Sequence, residues 1–131
     1  MKDYKKKGNE NSFEVTYKYD LSSDILGIKV KRDFIYNETV EIKEGLLLDF
    51  DKDNIPVSLE IHDASKLFNI PKHSLKKPFL FNMDIAVNEK FITLIISVGF
   101  LIHNKENKQI IEEYTLNRYN IPNIETELYV L

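Results

Sequence analysis

The side chains whose spacing comes nearest to chemistry lie in LLLDFDKDNIPVSLEI, Leu46 to Ile61. Asp49, Asp51 and Asp53 alternate, Glu60 follows seven residues after Asp53, and His62 and Asp63 stand just beyond. A helix-loop-helix calcium loop reads D-x-[DN]-x-[DN]-G-x5-E, because alternate carboxylates and a glutamate in the twelfth position surround a hard cation with oxygen. Asp49, Asp51, Asp53 and Glu60 fill positions one, three, five and twelve. The sixth position is Asn54 instead of glycine, Pro56 lacks the amide that its position should supply, and the flanks EGLLLDF and VSLEIHD are strand-like. Asp and Asn between two apolar runs also build a tight turn through their own side-chain hydrogen bonds, and Pro at the start of the return strand is tolerated. The stretch therefore predicts a hairpin. The alternative is a divalent cation held by Asp49, Asp51, Asp53, Glu60 and His62, and no other cofactor is expected. Glu60 and His62, two apart on one strand, share a face; with Asp49 or Asp51 across the hairpin they would ligate a metal or pair a general base with its orienting group.

Other chemistry is largely missing from the residues. There is no cysteine, which excludes disulfides, thiol nucleophiles and thiolate zinc sites. The four glycines, Gly8, Gly27, Gly45 and Gly99, are isolated, so no glycine-rich loop cradles a phosphate. No serine lies in a G-x-S-x-G elbow, and Ser74 beside His73 is adjacent in sequence without being aimed. These absences favour a protein that is not an enzyme.

Charge narrows the partners. Residues 1–7 carry four lysines against one aspartate, residues 8–63 carry six basic against thirteen acidic residues, and residues 64–131 carry eight against seven. Phosphate backbones call for a sustained basic face, so nucleic acid is not an expected partner of the acidic first half. The leader MKDYKKKGNENS has no apolar core like that of a secretory signal. The longest apolar run, Phe91 to Ile102, is 12 residues, short of the roughly 18 that a membrane-spanning helix requires. A cytoplasmic protein away from the membrane is expected, with a mobile basic tail over residues 1–12 and one β-rich domain over 13–131.

Two-residue alternation dominates that domain. It marks FEVTYKY, ILGIKVK, a run from about Thr39 through Gly45 to Phe50, then Val57 to Ile61, Phe79 to Val87, Phe91 to Ile102, Gln109 to Asn117 and Ile124 to Leu131. Phe91–Ile102 is apolar on both faces and β-branched, which suits an interior strand, and Lys90 and Lys105 flank it. Asp63 is placed to cap a short helix in ASKLFNI, stopped by Pro71. The expected architecture is mainly β: about eight antiparallel strands in a barrel-like or sandwiched sheet, with one short helix after Asp63.

Several of these pieces together resemble a known family. YDLSSDILGIKV (Tyr19 to Val30), Glu44-Gly45, the aspartate-rich turn at Asp49 to Asn54 and LEIHDAS (Leu59 to Ser65) are similar, in that order, to the small domain-of-unknown-function family 2283. The resemblance covers about residues 13–68, leaving residues 79–131 as additional strands. It implies a compact β-meander with no assigned activity and, through relatives encoded beside small toxin-like proteins, an antitoxin-like or partner-binding role. The expected function is a non-enzymatic protein–protein interaction module that docks a basic protein or forms a homodimer. The competing expectation is a divalent-metal or small-ligand protein using the Asp49–Asp53 turn with Glu60 and His62.

Overall fold

The computed structural model describes residues 11–131. The basic leader expected over residues 1–12 lies outside these, apart from Asn11 and Ser12, and Ser12 already opens the first strand. Nine strands follow: β1 (Ser12–Asp20), β2 (Ile25–Val30), β3 (Tyr36–Lys43), β4 (Leu46–Asp51), β5 (Pro56–His62), β6 (Leu80–Val87), β7 (Phe91–Ile102), β8 (Lys105–Leu116) and β9 (Ile124–Tyr129). Between β5 and β6 lie the helix α1 (Ala64–Phe68) and a 3-10 turn at Lys72–Lys76. The mainly β class holds, and the eight expected strands become nine for a local reason. The run from Thr39 to Phe50 is broken at Glu44–Gly45, where Gly45 adopts a φ of +83°, and the chain doubles back so that Glu41 pairs with Leu47. A side chain at such a φ is strained, so glycine fits the turn.

The strands form one curled sheet, a half-barrel, in the order β3-β4-β5-β2-β1-β9-β6-β7-β8. Every neighbouring pair is antiparallel except β1 and β9, which run parallel through Ser12↔Glu127 to Glu14↔Tyr129. Two antiparallel groups, β1 to β5 and β6 to β9, thus meet at a single parallel seam. The curl brings the edge strands β3 and β8 together, and Lys43 Nζ reaches Glu113 Oε2 at 3.0 Å.

Local chemistry sets the register. β7 and β8 are joined by His103 and Asn104, both at positive φ (52° and 64°), the two-residue turn whose twist suits a hairpin. Pairing therefore resumes at Ile102↔Lys105, so the strand begins at Lys105, ahead of the Gln109 from which alternation predicts it. Before β7, the Asn88 carboxamide oxygen accepts from the amides of Lys90 and Phe91, both at 2.8 Å.

Alternate residues of every strand point into the curl. Phe50, Phe68, Phe81 and Phe100 are fully buried among Leu26, Ile28, Leu48, Leu59 and Met83. The helix contributes Phe68, whose ring meets Phe100 edge to face at 5.8 Å, and the 3-10 turn contributes Leu75, whose carbonyl accepts from Tyr17 Oη at 2.6 Å. Burial holds the Tyr17 phenol well above its usual titration range, and the neighbouring Tyr19 adds to the effect. One polar atom disagrees with this core: Thr126 Oγ1 on β9 is buried with no hydrogen-bond partner. Replacing the hydroxyl by an isosteric methyl removes that desolvation cost, so Thr126→Val is expected to raise unfolding free energy by about 1 kcal/mol, measured by urea denaturation. An unchanged or lower stability would mean that the hydroxyl is satisfied in solution.

Candidate functional site

The aspartate-rich stretch is a β-hairpin. β4 and β5 pair from Leu46↔Ile61 to Phe50↔Pro56, with a register shift between Asp49 and Phe50. The bend is closed by the Asn54 amide on the Asp51 carbonyl and the Asp51 amide on the Ile55 carbonyl, both at 2.9 Å, with Asn54 at a φ of 62°.

Each candidate ligand in it has a separate task. Asp49 sits on the outer face and accepts from Thr39 Oγ1 at 2.6 Å on β3 and from Ser58 Oγ at 2.7 Å on β5. Tyr36 Oη lies 2.8 Å from the same Thr39 hydroxyl, so one polar chain crosses three strands. Asp51 is 2% exposed and folds back under its own turn, accepting from the amides of Asp53 at 2.9 Å and Ile55 at 3.0 Å. Arg32 reaches its other oxygen at 3.3 Å. Asp53 is exposed beside Lys52. Glu60 and His62 share a face as their spacing requires and lie 3.1 Å apart on the surface. The structure therefore brings Glu60 and His62 together as a pair and Asp51 and Asp53 into one capped turn, and leaves Asp49 to the hydroxyls of Thr39 and Ser58. Among the described residues no three or more His, Cys, Asp or Glu side chains are grouped as a metal site.

The helix cap differs from expectation. Asp63 sits at a φ of 54° and makes no side-chain cap bond; left-handed backbone at that position turns its carboxylate away from the first turn. The cap comes from Asp24, at the end of the β1–β2 turn, 41 residues upstream of Ser65. Its carboxylate accepts from the Ser65 amide at 3.0 Å, Ser65 Oγ at 2.6 Å and Tyr19 Oη at 2.7 Å, and its backbone carbonyl accepts from the Ala64 amide at 3.1 Å. Asp24 is 7% exposed. Burial alone would raise its carboxyl, but the hydrogen bonds from Ser65 and Tyr19, helped by the charge of Lys72, outweigh it and hold the group below the usual carboxylate range. Tyr19 answers in the opposite direction: burial, then the bond to Asp24, raises its phenol. These are residues of the Tyr19–Asp24 and Asp63-Ala64-Ser65 segments. Sequence spacing could mark each segment but not their meeting.

Two concave regions flank the hairpin. An outer groove of about 480 Å³ runs over β1 to β5 and is lined by Lys18, Lys29, Asp49, Ser58 and Glu60. A wider cleft of about 790 Å³ opens where β3 and β8 approach, between Lys43, Leu46, His62, Lys66, Leu67 and Ile111. Both are mixed in charge, and no nucleophile–base pair occupies either among the lining residues.

The largest feature that the sequence reading passed over is apolar and exposed. The outward residues of β8 include Ile110 (75% exposed), Tyr114 (62%) and Leu116 (46%). In register beside them on β7 stand Ser97, Thr93 and Phe91. Tyr114 and Phe91 meet edge to face at 5.4 Å. Leu101, Phe79 and Leu80 extend the strip, with the Phe79 ring lying over Gly99, where a Cβ would come within 2.6 Å of it. The signal was available in QIIEEYTL, whose second, sixth and eighth residues share one face of a strand.

The family of proteins of unknown function DUF2283 matches residues 16–65, from β1 to the Ser65 that Asp24 caps. A protein of Methanosarcina mazei named putative hypoxanthine phosphoribosyltransferase is 29% identical over 119 residues, 86% of this chain and 90% of that protein. An uncharacterized protein of Methanocaldococcus jannaschii is 33% identical over 113 residues, 82% and 89% of the two chains. No solved structure matches significantly.

Proposed function

We propose, from the premise that this chain belongs to the DUF2283 family of proteins of unknown function, that it is a non-enzymatic protein–protein interaction module of the cytoplasm. The observation that carries this reading is the exposed apolar strip on β7 and β8, in particular Ile110, Tyr114 and Leu116. A solvated edge strand ordinarily shows polar side chains outward, and a cluster of large exposed apolar side chains marks a surface that another chain covers. The acidic half of the chain, with thirteen acidic against six basic residues over 8–63, would then select partners by charge and set their orientation.

The name of the Methanosarcina relative is not carried over. Phosphoribosyl transfer requires a loop of backbone amides to hold phosphates. Here Gly27 and Gly99 lie inside strands and Gly45 in a tight hairpin turn. Divalent-metal or small-ligand binding at Asp49, Asp51, Asp53, Glu60 and His62 is the other reading, and no observation favours it.

The test is recovery of the protein from its native cells at its natural abundance. A defined complex, with a second chain in fixed proportion, is expected for the unaltered protein and not for Ile110→Lys with unchanged far-UV circular dichroism. Recovery of the unaltered protein as a bare monomer would overturn the reading.

A further inference from the structure

We infer that the partner covering this strip is a second copy of the chain, packed outer face to outer face about a two-fold axis at Ile110. The inference rests on the interaction reading above and names its partner.

The strip approaches the size that a dimer contact needs. Phe79, Leu80, Leu101, Ile110, Tyr114 and Leu116 are between 40% and 75% exposed. With a large apolar side chain offering on the order of 150–250 Å² when open, they leave roughly 500 Å² of apolar surface. A polar rim added to that approaches the roughly 800 Å² that each partner gives to a stable interface.

The charges on the strip complement those of a second copy. On β8 the outward residues read Glu106, Lys108, Ile110, Glu112, Tyr114 and Leu116, beside Leu101, Gly99, Ser97, Ile95, Thr93 and Phe91 on β7. A two-fold axis at Ile110 makes the two β8 strands antiparallel across the interface. It places Ile110 on its own copy, sets Lys108 of each chain opposite Glu112 of the other, an ion pair formed twice, and brings Tyr114 opposite Glu106, whose carboxylate would accept from the phenol. Among the described residues Lys108 has a long contact of 3.9 Å to the exposed Glu106, which leaves it able to exchange. Packing two sheet faces keeps their strands roughly aligned, within about 30°.

The outer face, and not the edge, is open to the second copy. Near Glu113 the edge of β8 is already approached by β3 and engaged by Lys43. A copy adding to that edge as a tenth strand would have to displace β3, whereas the outer face is open.

The experiment is sedimentation velocity of the full chain over a concentration series, with charge reversal at the paired positions. The unaltered protein is expected to dimerise. Lys108→Glu and Glu112→Lys should each weaken the dimer roughly tenfold by facing like charges twice, and combining them should restore it. Ile110→Lys should weaken it by roughly a hundredfold. A dimer indifferent to all of these, or single reversals that the combined variant does not rescue, would overturn the proposed geometry. A monomer at every concentration that still forms a complex with a different protein in native cells would overturn the homodimer and leave the interaction reading intact. A monomer with no partner would overturn both.

Discussion

Asp24→Ala is expected to lower the unfolding free energy by about 3 kcal/mol, a fall in Tm of roughly 10 °C for a chain of this size. The carboxylate is buried and accepts three hydrogen bonds, from the Ser65 amide, Ser65 Oγ and Tyr19 Oη. Truncation leaves all three donors facing a space with no acceptor, which costs more than the bonds themselves contribute. Asp24 also sits at a φ of 59°, a conformation that Asp and Asn tolerate better than Ala. Asp24→Asn keeps the shape and the backbone preference while removing the charge, so it should cost about half as much. Acid separates the charge from the shape. The folded carboxyl lies below its ordinary value, so the unfolded chain takes up the proton first as pH falls. The stabilisation is complete above the unfolded value of about 3.9 and is lost as pH drops through the folded one. The acid limb of a stability-versus-pH curve should therefore be flatter in Asp24→Asn than in the unaltered protein. Parallel limbs would show that the charge does not contribute.

Phe100→Ala is the larger loss, about 4 kcal/mol, because a fully buried aromatic leaves a cavity that the surrounding strands cannot collapse into. The vacated space lies beside Phe68, the residue that fixes α1 on the sheet. The same helix end is tied to β8 through Gln109 Nε2, which donates to the Phe68 carbonyl at 2.7 Å. Amide exchange should accelerate first at Lys66–Ile70 and only later in β4 and β5. Uniform acceleration across the sheet would contradict this local route. Urea midpoints at constant m-value give the magnitude.

Most strands were legible because alternation is a property of the chain alone. Phe91–Ile102 and the return strand from Pro56 have the ends that their residues suggest. The split of Thr39–Phe50 was hidden because Glu44–Gly45 needs only two residues to reverse the chain, too few to interrupt a periodic pattern. The misplaced cap had a different cause. Asp63 has the right residue type in the right place, and the structure instead uses a carboxylate from a distant turn. Long-range hydrogen bonds of that kind leave no local spacing to read. The same limit applies to the candidate ligands: the alternation of Asp49, Asp51 and Asp53 is real in the sequence, but a register shift after Asp49 and the inward fold of Asp51 send the carboxylates to different partners.

The parallel seam between β1 and β9 has a consequence for biosynthesis. As the ribosome releases the chain, β1 to β5 can complete their hairpins while the inner margin of β1 still lacks its neighbour, because that neighbour, β9, emerges more than a hundred residues later. Sequence separations of more than a hundred residues, as in Ser12↔Glu127, make this closure the slow, entropically costly event. Until it happens the nascent protein carries an unpaired margin in the middle of its eventual sheet, and that interval is when chaperone capture or mispairing between neighbouring nascent chains competes with completion.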